Sequence, residues 1–313
     1  MKILVTGATG FVGSQLLKEL KTKQYDVIGT SRRSVQAESD LVNIGNISEQ
    51  TDWSTTLVGC DVVVHTAGRA HMMNDQADDK LAEFRRVNRD ATLKLARDAH
   101  AAGVKHFIFI SSIGVNGNIT KNEAFTEAST PNPTSDYAIS KLEAELALCN
   151  EFSNTSMAIT VIRPALICGE NAPGNIRRLL RLVESGIPLP FKGIKNKRGM
   201  VSLNNVVSFI IACIENPLSQ NELFLLADID KPTTEGIVRS FAAGMNKPAR
   251  IVWFPSSILK AGLKIIKKES LYEQLFGSLD IDASKATNLL GWVPPANIFE
   301  TMKQTSAYYK DAK

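Results

Sequence analysis

Gly7-Ala8-Thr9-Gly10-Phe11-Val12-Gly13 follows directly on the apolar run Ile3-Leu4-Val5, and Ser14-Gln15-Leu16-Leu17-Lys18-Glu19-Leu20 comes next. The first run reads as a short strand and the last as an amphipathic helix, so the three glycines form the turn between them. In that setting each glycine has its own task. The first allows the tight turn, the second lets backbone approach a pyrophosphate, and the third lets helix pack on strand. The helix N-terminus then faces the phosphate charge. Gly7, Thr9, Gly10, Phe11, Val12 and Gly13 are therefore the expected dinucleotide contacts of this loop. The spacing is Gly-x-x-Gly-x-x-Gly, which departs from the Gly-x-Gly-x-x-Gly of ordinary dehydrogenases.

Outward from this unit, residues 2–6, 25–30, 61–65, 106–111 and 158–163 read as strands, and 12–23, 51–58, 77–102 and 136–151 as helices. The alternation predicts an α/β fold with a doubly wound parallel sheet of the Rossmann type. The second half changes character. Loops rich in Pro and Gly occupy 171–175 and 186–193, a helix follows near 205–215, and then an apolar strand, Leu223-Phe224-Leu225-Leu226.

Tyr137-Ala138-Ile139-Ser140-Lys141 places a phenol and an ammonium at i and i+4, on one helix face. A phenol has an ordinary pKa of about 10 and is a poor acid or base at neutral pH. A lysine one turn away is expected to favour the phenolate and bring it into working range. The pair follows Phe107-Ile108-Phe109-Ile110-Ser111-Ser112, which reads as a buried parallel strand ending in hydroxyls. Ligands of such sheets sit at strand C-termini.

With these residues the chain resembles the extended short-chain dehydrogenases/reductases of the NAD-dependent epimerase/dehydratase family, over essentially all 313 residues. The resemblance implies Ser112, Tyr137 and Lys141 as catalytic triad, with Ser111 the alternative hydroxyl. Ser112 lies 25 positions before Tyr137, a separation similar to that of sugar-nucleotide epimerases. It further implies that Thr66, Ala67 and Gly68, after the strand Val62-Val63-Val64, lie near the cofactor, as do Asn88 and Pro164. Residues 1–166 would form the NAD(P)-binding core and 167–313 mainly a smaller C-terminal substrate-binding lobe, with about 201–228 returning to the core.

The second strand ends Thr30-Ser31-Arg32-Arg33, where an NAD site usually carries Asp or Glu on the ribose 2′-hydroxyl. A guanidinium binds a 2′-phosphate through paired hydrogen bonds, and a carboxylate repels it. NADP is thus favoured over NAD, with Ser31, Arg32 and Arg33 as contacts, while Asn46 and Ile47 meet the adenine. On the substrate side, Leu189-Pro190-Phe191 resembles the loop laid along uracil in the family, and Arg198 matches its diphosphate-binding arginine. Asn175 sits where relatives hydrogen-bond substrate. A UDP-sugar is the implied partner, and the tail Gly277–Asp282 resembles reductases of UDP-4-keto-6-deoxy-N-acetylhexosamines.

Ile113-Gly114 follow Ser112 where dehydratases carry Asp-Glu, which argues against 4,6-dehydration. The basic end of the second strand favours a C4 ketoreductase of surface-polysaccharide synthesis over a UDP-sugar 4-epimerase with held NAD. An NADPH-dependent reductase of a small non-nucleotide ketone and a non-catalytic NADP sensor are further alternatives.

Composition bounds the rest. A 44% hydrophobic, 22% charged chain of net charge +4 is globular, with no basic stripe for nucleic acid. Cys60, Cys149, Cys168 and Cys213 read as buried free thiols of a reducing compartment. The chain opens directly on its first strand, so the expected location is the cytoplasm, without signal peptide or transmembrane segment. His65, His71, His100 and His106 form no ligand cluster, so no metal is expected. Ser256–Lys268 is apolar with a Lys267-Lys268 end, and reads as a lobe helix or, alternatively, a membrane-surface segment. A homodimer is a family expectation.

Overall fold

Val62-Val63-Val64-His65 and His106-Phe107-Ile108-Phe109-Ile110 are buried at every position. A strand without polar alternation has both faces covered, so these two lie at the centre of a sandwiched sheet. A computed structural model describes residues 1–33, 40–70, 79–265 and 269–311 of the protein. His71 and the Lys267-Lys268 pair lie outside the described residues.

Nine strands occur among the described residues, in chain order β1 (Lys2–Thr6), β2 (Asp26–Ser31), β3 (Leu41–Asn43), β4 (Val62–His65), β5 (His106–Ile110), β6 (Ala158–Pro164), β7 (Leu166–Cys168), β8 (Met200–Ser202) and β9 (Leu223–Leu226). Seven form one parallel sheet in the order β3-β2-β1-β4-β5-β6-β9, and β7 and β8 pair separately. The order reverses between β1 and β4, the point at which open α/β sheets bind ligands beyond the strand C-termini. The doubly wound parallel sheet read from the sequence is present.

The helices are α1 (Phe11–Thr22), α2 (Lys80–Arg85), α3 (Ala91–Ala101), α4 (Asp136–Phe152), α5 (Gly174–Glu184), α6 (Leu203–Glu215), α7 (Thr234–Gly244), α8 (Ser256–Ile265), α9 (Glu269–Phe276), α10 (Ser284–Leu290) and α11 (Ile298–Asp311). Successive strand residues point to opposite sheet faces. Ile3, Val5, Val62, Val64, Ile108 and Ile110 pack with α1 and α6. Leu4, Val63, Phe107 and Phe109 pack with α3 and α4 on the other face. A third core joins α5, α7 and α11 through Ile176, Leu180, Ile237, Phe241, Ile298 and Met302.

Two helix expectations need correction. Residues 51–58 form turns, not a helix. There Ser54 N–H donates to Asp52 Oδ1 and Thr56 Oγ1 to the Trp53 carbonyl, local bonds that compete with helical ones. Trp53 and Leu57 are nonetheless buried against the sheet. The helix expected over 77–102 is divided: α2 and α3 are joined by a π-turn at Arg86–Asp90 with buried Asn88 at its middle. Strands β3, β7 and β8 have three residues each, too short for a periodic signal. Cys60, Cys168 and Cys213 are buried but Cys149 is exposed, against the all-buried reading; all four are free thiols.

The loop from β1 to α1 is a tight joint. Gly7 has φ +69, and a Cβ added at Gly13 would lie 2.2 Å from the Gly7 carbonyl oxygen. Gly13→Ala therefore forces helix and loop apart. The expected cost is about 1–3 kcal/mol, as for overpacked cores, read as a lower urea midpoint with unchanged slope.

Candidate active site

The first-turn N–H groups of a helix have no partners within it. Gly10 caps α1 without a side-chain acceptor, and no acidic residue lies in the first turn. Gly10 N–H itself donates to the Gly7 carbonyl at 2.8 Å, and Ala8 N–H to the Thr30 carbonyl at 3.0 Å, which fixes the loop on β2. Thr66 Oγ1 donates to the Thr6 carbonyl at 2.7 Å and lies against Gly7 and Gly13. Thr9 and Gly10 are exposed, Phe11 and Val12 half-buried. This cradle, open at its anion-binding end, fits a dinucleotide pyrophosphate.

Beyond β2, Ser31 is buried and its hydroxyl donates to the Arg33 carbonyl at 2.6 Å, so it shapes the turn. Arg32 and Arg33 are exposed, as is Asn46. Ile47 is buried in the α3/α4-side core, its side chain among hydrophobic neighbours. Asn88 is buried as well. Its carboxamide is occupied by protein, accepting from Arg69 N–H at 2.8 Å and donating to the Arg69 carbonyl and Ser140 Oγ at 3.0 Å each. It pins the loop of Thr66, Ala67 and Gly68 to α4.

On α4, Ser135 caps the N-terminus through Ala138 N–H, which sets the helix phase. Lys141 is buried; its Nζ donates to the Ile110 carbonyl at 2.8 Å and lies 4.3 Å from the centre of the Phe109 ring. A Cβ added at Gly68 would be 3.6 Å from the same Nζ and 3.2 Å from Asn88 Oδ1. The cofactor-side loop and the lysine thus meet. The Tyr137 ring packs edge-on to Phe84 at 6.2 Å.

The structure separates the two candidate hydroxyls. Ser111 donates to Glu145 Oε1 and is buried. Ser112 is half-buried, accepts from Gly114 N–H at 3.1 Å, and caps the turn Ile113–Val115. Gly114 lies between the Ser112 hydroxyl and the Ala138 methyl, each 3.4 Å from an added Cβ. Ser112, Tyr137 and Lys141 are therefore gathered where β5 ends against the first turns of α4. Pro164, buried at the end of β6, borders this edge.

Sequence reasoning missed the support below. Glu145, one turn beyond Lys141, takes Arg163 Nε at 3.0 and 3.1 Å, and Arg163 Nη1 donates to Asn116 Oδ1 at 2.9 Å. Both ion-pair side chains are only 5% exposed. The i, i+4, i+8 series Tyr137, Lys141, Glu145 was the available signal.

Burial reverses the expected effect of Lys141 on the phenol. Desolvation pushes Tyr137 up to about 12. It pushes Lys141 down to about 8, an effect partly offset by the Glu145 charge. At neutral pH the protein alone holds a phenol and an ammonium. His65, between Thr6 Oγ1 at 2.7 Å and Thr92 Oγ1 at 2.9 Å, is pushed down to about 3 by burial and then by Lys141, so it stays neutral.

On the lobe side, Leu189 and Phe191 are buried in the third core, and Phe191 meets Phe276 at 5.6 Å. Their side chains belong to that core, and Pro190 is half-buried between them. Asn175, in the first turn of α5, accepts from Arg178 at 3.5 Å. Arg198 donates to the Gly277 carbonyl at 3.1 Å and has no carboxylate partner among the described residues. Burial lowers its pKa to about 10. Neighbouring Lys197, by contrast, is paired with Asp280 at 2.8 Å. No group of three or more metal-ligating side chains occurs among the described residues, and no helix there is long and apolar enough to cross a membrane.

A parallel sheet with a glycine cradle at its switch point and a Tyr-Lys pair at the end of β5 defines a dinucleotide-dependent oxidoreductase fold. The chain belongs to the NAD dependent epimerase/dehydratase family, whose model matches residues 3–227. It is 40% identical to the UDP-glucose 4-epimerase of Vibrio cholerae, over 99% of this chain and 96% of that protein. It is 25% identical to the N-acetyl-alpha-D-glucosaminyl-diphospho-ditrans,octacis-undecaprenol 4-epimerase of Escherichia coli O157:H7, over 98% and 94%. The UDP-glucuronic acid 4-epimerase of Bacillus cereus, solved with UDP-glucuronic acid and NAD, has the same fold: TM-score 0.78, 22% identity, and 100% of both chains covered.

The buried lysine makes stability depend on pH. Between its folded value of about 8 and its ordinary value of 10.5, the unfolded chain binds the more protons, so the Lys141 contribution to stability rises with pH. Below about 8 its burial is a constant cost. Lys141→Met should be more stable than wild type at pH 7, and the difference should shrink by pH 10; paired urea titrations at the two pH values check it.

Proposed function

We propose that the protein is a UDP-sugar 4-epimerase. The observation that carries this reading is the 40% identity to a UDP-glucose 4-epimerase across 99% of the chain, together with a Ser112, Tyr137 and Lys141 set gathered at one strand end. Bound NAD would supply the hydride acceptor and donor at C4. Gly7, Gly10 and Gly13 would hold its pyrophosphate, and Thr66–Gly68 with Lys141 its nicotinamide side.

As the phenolate, Tyr137 takes the proton of the sugar C4 hydroxyl, and as the phenol it returns that proton to the same oxygen when hydride comes back to the opposite face of C4. With its pKa pushed up to about 12 the phenol is held protonated, so reaching the phenolate is the costly part of the cycle. Lys141 supplies the positive charge that lowers the cost of the phenolate as the proton moves, and Ser112 hydrogen-bonds the same sugar oxygen. Arg198, desolvated and without a carboxylate, supports a diphosphate at the lobe, since a poorly solvated guanidinium gains most from a doubly charged acceptor. Ile113-Gly114 after Ser112 supply no carboxylates for dehydration.

A second reading is favoured by Thr30-Ser31-Arg32-Arg33. The exposed arginines and the missing acid suit NADPH, hence a 4-ketoreductase of a UDP-keto sugar. The nucleotide released on denaturation separates the two: NAD supports the epimerase, NADP or an empty site the reductase. In either case Tyr137→Phe should lower kcat by roughly 10²–10⁴. Arg198→Ala should weaken UDP binding roughly 10- to 100-fold by calorimetry, the range of a charged hydrogen bond. No UDP binding at millimolar concentration by the folded, cofactor-loaded protein would remove the nucleotide-sugar reading.

A further inference from the structure

Large apolar side chains exposed in this protein are mostly scattered, with one exception among the described residues. Val252, Trp253, Phe254, Ile258 and Ile265 are exposed by 42, 70, 43, 59 and 81%, all within one short stretch of the lobe. On α8, Leu259 and Leu263 are half-buried toward the protein. Ile258, Ala261 and Ile265, at helical spacing, share a different face that is exposed. Lys260 and Lys264 are exposed beside it, and Lys260 Nζ lies 5.9 Å from the centre of the Tyr272 ring. No acidic residue occurs from Ile251 to Ile265. Solvent-facing clusters of this kind mark an interaction surface.

Charge and residue type select the partner. A second copy of the chain would bring two lysine-bearing helices together, a like-charge contact unless it also engaged the adjacent α9, which carries Glu269 and Glu273. An anionic bilayer complements the lysines. Its interface suits a Trp and a Phe at headgroup level with isoleucines below, and a short amphipathic helix lies in that plane. The segment is fastened to the lobe, not to the dinucleotide core. Val252 N–H donates to the Leu189 carbonyl at 2.9 Å and Lys192 N–H to the Val252 carbonyl at 3.2 Å. Phe276, at the end of α9, packs on Phe191, and the next residue, Gly277, holds Arg198.

We infer that Val252–Ile265 docks the protein on an anionic lipid surface, with Trp253, Phe254, Ile258 and Ile265 in the headgroup region and Lys260 and Lys264 against lipid phosphates.

The chain carries its own reporter. Of its three tryptophans, Trp53 and Trp292 are buried and Trp253 is exposed. Full-length protein is floated with vesicles of phosphatidylglycerol and phosphatidylcholine, or of phosphatidylcholine alone, while tryptophan emission is recorded. The expected result is co-flotation and a blue shift with the anionic vesicles, weakened by salt and lost in Trp253→Ser of unchanged Tm. Lys260→Glu with Lys264→Glu should weaken binding roughly 30-fold or more, from about 1 kcal/mol per lysine near the surface. The inference fails if the wild type stays unbound, if the double charge variant floats like wild type, or if the blue shift grows with protein concentration without lipid, which would make the patch a self-interface. The readout is lipid binding, so it is independent of whether UDP binds.

Discussion

The ion pair between Glu145 and Arg163 is the joint on which the candidate site depends. It ties α4 to β6, and through Ser111 and Asn116 it also holds the residues that follow β5. Taking two charges out of water is costly, and removing one partner from such a pair costs about 3–5 kcal/mol because the other is left unpaired. The pair therefore acts less as a source of stability than as a constraint on registration. Rotation or sliding of α4 against the sheet would strand a charge, so Tyr137 and Lys141 keep one position relative to Ser112. The same carboxylate raises the affinity of Lys141 for its proton, against the burial that opposes it.

The fold was legible because its signals are local and strong. Val62–Val64 and Phe107–Ile110 are uninterrupted apolar runs, and Gly7, Gly10 and Gly13 punctuate the passage from strand to helix. What escaped depends on partners distant in sequence. The turns at 51–58 bury Trp53 and Leu57 as an amphipathic helix would, so the apolar pattern alone does not distinguish the two. The π-turn around Asn88 answers to Ser140 and Arg69, neither of which is a neighbour in the chain.

The site was legible in its residue types and less so in its electrostatics. Placing Tyr137 and Lys141 one turn apart was correct, yet spacing carries no information about burial, and burial governs both groups here. The choice between Ser111 and Ser112 needed the position of Glu145. Leu189 and Phe191 show what loop resemblance leaves out: both side chains pack in the lobe core.

Phe11 lies in the first turn of α1, and its ring packs on both the sheet core and the lobe core. A side chain common to two cores couples their energies, so losses there do not add independently. The lobe and the sheet consequently have no clean seam between them at this point. Melting of either exposes a face of the same ring, which favours a single cooperative unfolding transition over two separate ones.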